Sequence, residues 1–282
     1  METMTLQLMD TEIYIGVQFE QPVDWQPVMS EWFHYVAKQW SRFHEGNELY
    51  AINALLIGQT MQLRAPLYRC LQLAHYYFEQ TDGYFSPYLK KHIEAHGYNK
   101  TFAQLKAAST PIPPVSPASL RFCRNGFIQK ISDAEIDVGG IAKGFTAFYA
   151  SELLQSLGST AFDIVDVGGD MQLWSHTDKV WSIGIAHPHD DTKTIATLSI
   201  QNGGIATSSK VKRSWANGDK HHILNGQSGH VATGDKLQVT AVAKYAYLAE
   251  VAAKTSFFTE AANDYFHNVP RYVVTTNGYY AE

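Results

Sequence analysis

Cysteine is nearly missing from this 282-residue chain. The two present, Cys70 and Cys123, are too few for a disulfide framework or a thiolate metal cluster. They fall in segments that read as helix and strand, where a thiol behaves as a small buried hydrophobe. A basic stripe is missing too. The 22 lysines and arginines are scattered among 27 acidic residues, leaving a formal charge of −5 and no electrostatic footprint for nucleic acid. No apolar run approaches the roughly 20 residues that span a bilayer. Residues 1–10 carry neither a signal-peptide pattern nor a cysteine to lipidate. These absences predict a soluble protein with no membrane span, cytoplasmic or trimmed of a leader.

What is present is apolar and aromatic: 45% hydrophobic and 13% aromatic residues, enough for one large domain or two lobes sharing a core. The one conspicuous breaker cluster, Ser109 to Pro117, holds four of the ten prolines and reads as a surface loop or a seam between lobes. Before it the pattern is mainly helical after an opening strand at Glu12 to Phe19. Trp25, Val28, Met29, Trp32, Val36, Trp40 and Phe43 recur at helical spacing, Pro66 to Gln80 begins with a proline at a tolerated position, and a short helix is predicted over Ser86 to Ala95. After the cluster, strands dominate. Asn125-Gly126 and Asn277-Gly278 mark hairpins. Further strands are expected at Phe162 to Val167, Val180 to Ala186, Ala196 to Ile200 and Leu237 to Ala243, with helices at Ile141 to Leu157, ending at Gly158, and Tyr245 to Phe258. Helices first and then strands with two interspersed helices predict an α+β fold.

The stretch with most chemistry in it is Ile136-Asp137-Val138-Gly139-Gly140-Ile141-Ala142-Lys143-Gly144, expected to leave a strand and enter a helix. Adjacent glycines let backbone approach a ligand, a helix N-terminus offers N–H groups and a positive dipole end, and Lys143 adds a mobile cation. The spacing is neither GxGxxG nor GxxxxGK[ST], so the residues alone support an anion site or, equally, a tight turn whose glycines admit close packing.

This segment resembles the D-[LF]-G-G-I-A-K-G-[YF] signature of the FAD:protein FMN transferases, the ApbE-like family. Other landmarks follow in order. Met9-Asp10-Thr11 is similar to that family's N-terminal M-G-T strand, Asn47 to Asn53 to S-E-[IL]-x-x-[LI]-N, and Thr81 to Pro87 to T-x-G-[AY]-F-D-P. Val167 to Asp170 resembles the N-x-G-G-D turn, Trp181 to Pro188 W-x-[VI]-G-I-x-x-P, Ala206-Thr207-Ser208 the A-T-S-G turn, and His221-His222-Ile223 the H-H-I-x-D-P strand. The resemblance implies a single ApbE-like, T-fold-related domain over residues 1–282, with mixed sheets flanked by helices. It also implies FAD as the donor, transfer of FMN to a threonine or serine hydroxyl of an acceptor flavoprotein, release of AMP, and Mg²⁺ at the pyrophosphate. Position by position, Met9, Tyr84, Phe85, Asp137, Gly139, Gly140, Lys143, Thr207, Ser208 and Ile223 would line the nucleotide pocket. His222 would be the catalytic-site histidine, and the Ala142 carbonyl and Glu250 would face the metal.

Several acidic positions of the family pattern are altered. Ser86 and Asn225 replace aspartates, Gly226 replaces a proline, and the A-D-x-x-x-T helix reads Ala249-Glu250-Val251-Ala252-Ala253-Lys254. Mg²⁺ takes hard oxygen ligands, and an ammonium has no lone pair to give. One reading places Lys254 where the metal would be, paired with Glu250 and facing the FAD phosphates. The other makes the pair an exposed ion pair contributing about 0.3–0.5 kcal/mol, with Thr255 as the true ligand. A diverged FAD-binding protein without transfer, serving as carrier, sensor or partner subunit, is the alternative function.

Overall fold

The structure, a computed structural model, describes residues 1–99, 110–159, 162–258 and 264–282. Ser109, first of the breaker cluster, lies outside the described residues.

The chain opens with a hairpin, β1 (Glu2–Leu8) and β2 (Thr11–Val17), in which Leu8 pairs with Thr11. Met9 and Asp10 form the two-residue turn, at φ of +57° and +54°. Met9 therefore sits in a turn and not in the strand expected of it, because two successive left-handed residues give the mirror-image turn whose twist matches a hairpin. Then come α1 (Gln26–Gln39), α2 (Glu48–Ala54), β3 (Thr60–Gln62), α3 (Ala65–Gln80) and α4 (Lys90–Ala95). Asn47 caps α2, its Oδ1 accepting from Tyr50 N at 2.7 Å. The helix α4 starts four residues later than its sequence pattern suggests. Ser86 Oγ accepts from Tyr88 N, and the Pro87 carbonyl accepts from Asp137 N, so this backbone is committed elsewhere.

Beyond the proline-rich loop lie β4 (Leu120–Phe122), β5 (Phe127–Lys130), α5 (Ala142–Ser156), β6 (Phe162–Val167), β7 (Asp170–Ser175), β8 (Trp181–His187), β9 (Asp190–Ile200) and β10 (Gly203–Ser209). They are followed by β11 (Ser214–Trp215), β12 (Lys220–His221), β13 (Lys236–Ala243), α6 (Ala246–Thr255), β14 (Arg271–Thr275) and β15 (Gly278–Ala281). Both Asn-Gly hairpins form: Phe122 pairs with Ile128 and Thr275 with Gly278. Gly158, at φ +92°, ends α5 as expected. Cys123 lies just past β4 and is only partly buried, while Cys70 is fully buried in α3, where burial pushes its thiol well up.

An antiparallel sheet in the order β1-β2-β6-β7-β10-β13-β14-β15 organises the molecule, and the mixture of helix and sheet is α+β. The helices α5 and α6 pack on each other and on β6, β7, β10 and β13. α5 is buried around most of its girth, at Phe145, Thr146, Ala147, Phe148, Ala150 and Leu154, because α1 and α3 cover its other side. The core joins Ile13, Ile15 and Val17 of β2 to Trp25, Met29, Trp32, Phe33 and Val36. One position fixes the spacing of α5 and α6. A Cβ on Gly144 would lie 2.6 Å from the Ala246 carbonyl oxygen and 2.8 Å from Tyr247 Cα, so the helices meet backbone to backbone there. The start of α5 is thereby held against α6.

Candidate functional site

The segment before α5, expected as a strand, pairs with no strand among the described residues. Asn53 brackets Ile136, its Oδ1 accepting from Ile136 N at 2.7 Å and its Nδ2 donating to Ile136 O at 3.0 Å, while Asp137 N donates to Pro87 O at 2.9 Å. A side-chain amide thus takes the place of a neighbouring strand. The chain then turns through Gly139 and Gly140, and neither takes a left-handed φ. Space is what requires glycine at 140, where a Cβ would lie 3.0 Å from Phe85 Cε2 and 3.9 Å from Lys254 Cδ. Gly139 N donates to Asp137 Oδ1 at 2.8 Å.

Two clefts meet at this turn. The narrower, about 120 Å³, is lined by Tyr84, Phe85, Gly140, His222, Ile223 and Lys254 among others. The wider, about 450 Å³, is bordered by Met9, Trp40, Val138, Ala142 and Lys143. Arg42, Tyr98, Asp137, Gly139 and Arg213 belong to both. Most of the candidate residues from distant parts of the chain are therefore brought together. Thr207 and Ser208 do not line either cleft: expected in a turn, they lie in β10, paired with Thr240 and Val239 of β13. Thr207 connects to the site through Asp170, whose Oδ1 accepts from Thr207 N at 3.3 Å and whose Oδ2 accepts from Lys143 Nζ at 2.5 Å.

Arg42 was not among the residues singled out in the sequence. Its guanidinium donates to Asp137 Oδ2 at 2.5 Å and to the Tyr98 carbonyl at 3.2 Å. It also stacks on Phe43 and Tyr98, at 4.5 and 4.4 Å from the ring centroids. The helical spacing read through Trp40 and Phe43 places it on a helix, but α1 stops at Gln39 and Arg42 lies in the irregular stretch beyond. Arg213, the second shared cation, lies in the turn between β10 and β11 and was likewise not singled out.

A chain of charges runs beneath the turn. Lys254 Nζ donates to Glu250 Oε1 at 2.9 Å, and Gly144 N donates to Glu250 Oε2 at 2.9 Å, so both oxygens of this fully buried carboxylate are engaged. Burial opposes ionisation of Glu250, but the Lys254 and Lys143 ammonium groups and these hydrogen bonds outweigh it and hold the carboxyl below its usual range. Asp170 goes the other way. Burial, helped by Glu250, raises it to about 6 against the pull of Lys143 and Lys254. Burial also acts on Lys143, where the attraction of Asp170 and Glu250 prevails and the ammonium is held above its ordinary value.

His222 is neutral here. Burial first, then the charges of Lys254, Arg213 and Lys143, lower its imidazole well below the ordinary histidine value, against a hydrogen bond to the Arg213 backbone. Its Nδ1 is buried and has no hydrogen-bond partner among the described residues.

The donors do not assemble a magnesium site as they stand. The Ala142 carbonyl accepts from Thr146 Oγ1 at 2.5 Å, the Glu250 oxygens are taken, and Thr255 Oγ1 donates to the Ala252 carbonyl at 3.1 Å. Among the described residues no three histidine, cysteine or acidic side chains converge to hold a metal. The Lys254–Glu250 pair is also not the exposed one considered from sequence, since the two side chains are 13% and 1% exposed. The other altered positions have local accounts. Gly226 N donates to Tyr84 O at 2.9 Å, a bond a proline would forfeit, and a Cβ at 226 would lie 2.0 Å from Gly83 O. Asn225 Oδ1 accepts from Gln227 N at 2.9 Å. Among the described residues no helix is long and apolar enough to cross a membrane.

Comparison with known proteins gives one consistent result. The ApbE family profile matches residues 9–269. A curated relative, the FAD:protein FMN transferase of Treponema pallidum (strain Nichols), is 25% identical over 243 residues, covering 76% of this chain and 65% of that protein. The chain thus spans just under two thirds of that relative's length. A crystal structure of the ApbE protein of Thermotoga maritima MSB8 superposes with a TM-score of 0.82 at 22% identity, covering 100% of this chain and 96% of the other. The apo flavinyl transferase ApbE of Pseudomonas stutzeri gives 0.81 at 16%, covering 100% and 94%. The flavin transferase ApbE of Vibrio cholerae gives 0.80 at 18%, covering 100% and 96%. At such identities the structural likeness speaks for the fold.

Proposed function

Since the chain belongs to the ApbE family, we propose that it binds FAD where the two clefts meet and transfers the FMN moiety to a serine or threonine hydroxyl of a separate flavoprotein. The whole chain, 1–282, acts in this reading as one FAD-binding unit. The observation that carries it is the convergence of the Gly139-Gly140 turn and Lys254 on a cleft walled by Phe85 and Tyr84, with the start of α5 on the adjoining wider cleft. Close backbone, a helix N-terminus and a cation suit a pyrophosphate, and aromatic walls suit a nucleotide ring. Met9, Ala142, Lys143 and Asp137 would border the rest of the ligand in the wider cleft, with Ile223 beside the phosphates. Thr207 would act from behind, through Asp170.

His222 would take the proton. A neutral imidazole with an unpaired Nδ1 can accept the hydroxyl proton as that oxygen attacks the FMN phosphorus. The new P–O bond forms as the P–O bond to AMP breaks, and AMP departs with the bonding electron pair. The cations around the turn offset charge on the phosphate oxygens.

A second reading, an FAD-binding protein without transfer, is favoured by the Lys254–Glu250 pair. One positive charge stands where a family transferase would place a divalent ion, and it cannot orient two oxygens by coordination. The test is to incubate the protein with FAD, Mg²⁺ and a flavinylatable acceptor and assay AMP and a fluorescent covalent adduct. An adduct supports transfer, bound FAD without adduct supports the second reading, and protein that ignores FAD removes both.

A further inference from the structure

We infer that Lys254 is the built-in counter-ion of the nucleotide site, so that FAD binds here without a divalent cation. This rests on the FAD-binding reading and adds to it how the pyrophosphate charge is met.

Position comes first. Lys254 lies in the last turn of α6, and its stem runs past Gly140, so that the side chain lines the cleft shared with Phe85 and His222. Both partners of the Lys254–Glu250 pair are largely buried, which fixes the ammonium instead of leaving it to swing in solvent. An ammonium carries three donors. One goes to Glu250 Oε1, its one recorded partner among the described residues, and two are left for oxygens of a ligand in the cleft.

The oxygens a metal would draw on are also engaged within the protein. Glu250 is held by Lys254 and by Gly144 N, the Ala142 carbonyl by Thr146, and the Thr255 hydroxyl by its own helix backbone. A divalent ion entering between Ala142 and Glu250 would have to break the Lys254 bond and then sit beside the displaced ammonium, which repels it. The same Glu250 that in another arrangement would bind a cation from solution here binds one supplied by its own helix, four residues on. The Gly144 bond makes the arrangement cooperative with the fold, because it ties the carboxylate to the first turn of α5, next to the glycine turn that would face the phosphates.

The experiment is isothermal titration of the full chain with FAD, in EDTA and in excess Mg²⁺. The expected result is an affinity that changes by less than about fivefold between the two conditions, with Lys254→Met weakening binding in EDTA by about tenfold or more. A rise greater than about fivefold on adding Mg²⁺ overturns the inference while leaving FAD binding intact. So does a Lys254→Met protein that binds in EDTA as tightly as the unaltered chain. No heat with FAD in either condition defeats the binding reading itself, and this inference with it. If Lys254→Met does not fold, the comparison of EDTA with Mg²⁺ on the unaltered chain still decides.

Discussion

Arg42 and Asp137, 95 positions apart in sequence, form an ion pair at 2.5 Å where the two clefts join, with side chains only 8% and 17% exposed. The pair sets the shape of the junction, because Asp137 Oδ1 also holds Gly139 N and Arg42 is clamped by the rings of Phe43 and Tyr98.

Removing the cation should therefore cost both stability and ligand. Arg42→Met leaves a largely buried carboxylate without its partner, a loss on the order of 3 kcal/mol. Arg42→Lys keeps the charge but not the stacked, forked geometry and should fall between. Denaturant midpoints and FAD titration on the same preparations check this. Equal FAD affinity in all three proteins would remove Arg42 from the site.

Gly144→Ala tests the contact between α5 and α6. The new methyl would meet the Ala246 carbonyl at 2.6 Å, and backbone cannot rotate away as a side chain can. The helices must separate, loosening the Gly144 N bond to Glu250. Destabilisation of about 2–3 kcal/mol is expected from overpacking of this kind. Thermal melting measures it, and an unchanged midpoint would mean the two helices slide apart freely.

How much of this could be read in the sequence depends on what kind of force fixed each part. Elements held by their own periodicity or turn chemistry were legible: α1 from its tryptophan spacing, α5 with its terminal Gly158, and the hairpins at Asn125-Gly126 and Asn277-Gly278. Elements held by partners distant in sequence were not. Residues 136–138 look like a strand but are bracketed by Asn53, and Ala206 to Ser208 look like a turn but pair with β13. The strand β1 was legible in the strict alternation of Met4, Leu6 and Leu8 with Thr3, Thr5 and Gln7 and was passed over, its apolar face being only partly buried. Most candidate site residues could be named from their motifs. Arg42 and Arg213 could not: the helical spacing read through Phe43 overruns the end of α1 at Gln39 and hides the irregular backbone that places Arg42, and Arg213 lies in a turn that no pattern describes.

His221, the neighbour of the candidate base, should make stability depend on pH. Its Nε2 donates to the Ala232 carbonyl at 3.0 Å while its Nδ1 accepts from Ile223 N at 3.3 Å, so both nitrogens are committed to the neutral ring. Burial, with Lys210 and His96 adding to it, lowers its pKa to about 4. Between that value and the ordinary value near 6.5, the unfolded chain holds a proton there that the folded chain does not. The stabilisation is complete above about pH 6.5 and drains away as pH falls toward 4, by about 1.4 kcal/mol per unit. The stability advantage of the unaltered chain over His221→Gln should shrink by about 2 kcal/mol between pH 7.5 and 5. Urea unfolding of both proteins at the two pH values checks this, and a constant gap would show that His221 does not titrate as argued.

His222 calls for the opposite kind of measurement, on rate and not on stability. Were it an ordinary histidine, transfer would fade as pH fell through about 6.5. Burial and the charges of Lys254, Arg213 and Lys143 keep the ring neutral well below that, so kcat/KM should stay level through neutrality and decline only at lower pH. Removing one of those cations with Arg213→Met should move the acid limb upward, because the proton on His222 then meets less repulsion. His222→Asn keeps a polar group of similar reach but cannot take up the hydroxyl proton. It should lower transfer by about 100-fold or more while FAD affinity, which in the proposed reading depends on the glycine turn and its cations, changes by less than about twofold. Loss of affinity and rate together would make His222 a binding group. A limb that stays in place in Arg213→Met would mean that another residue titrates.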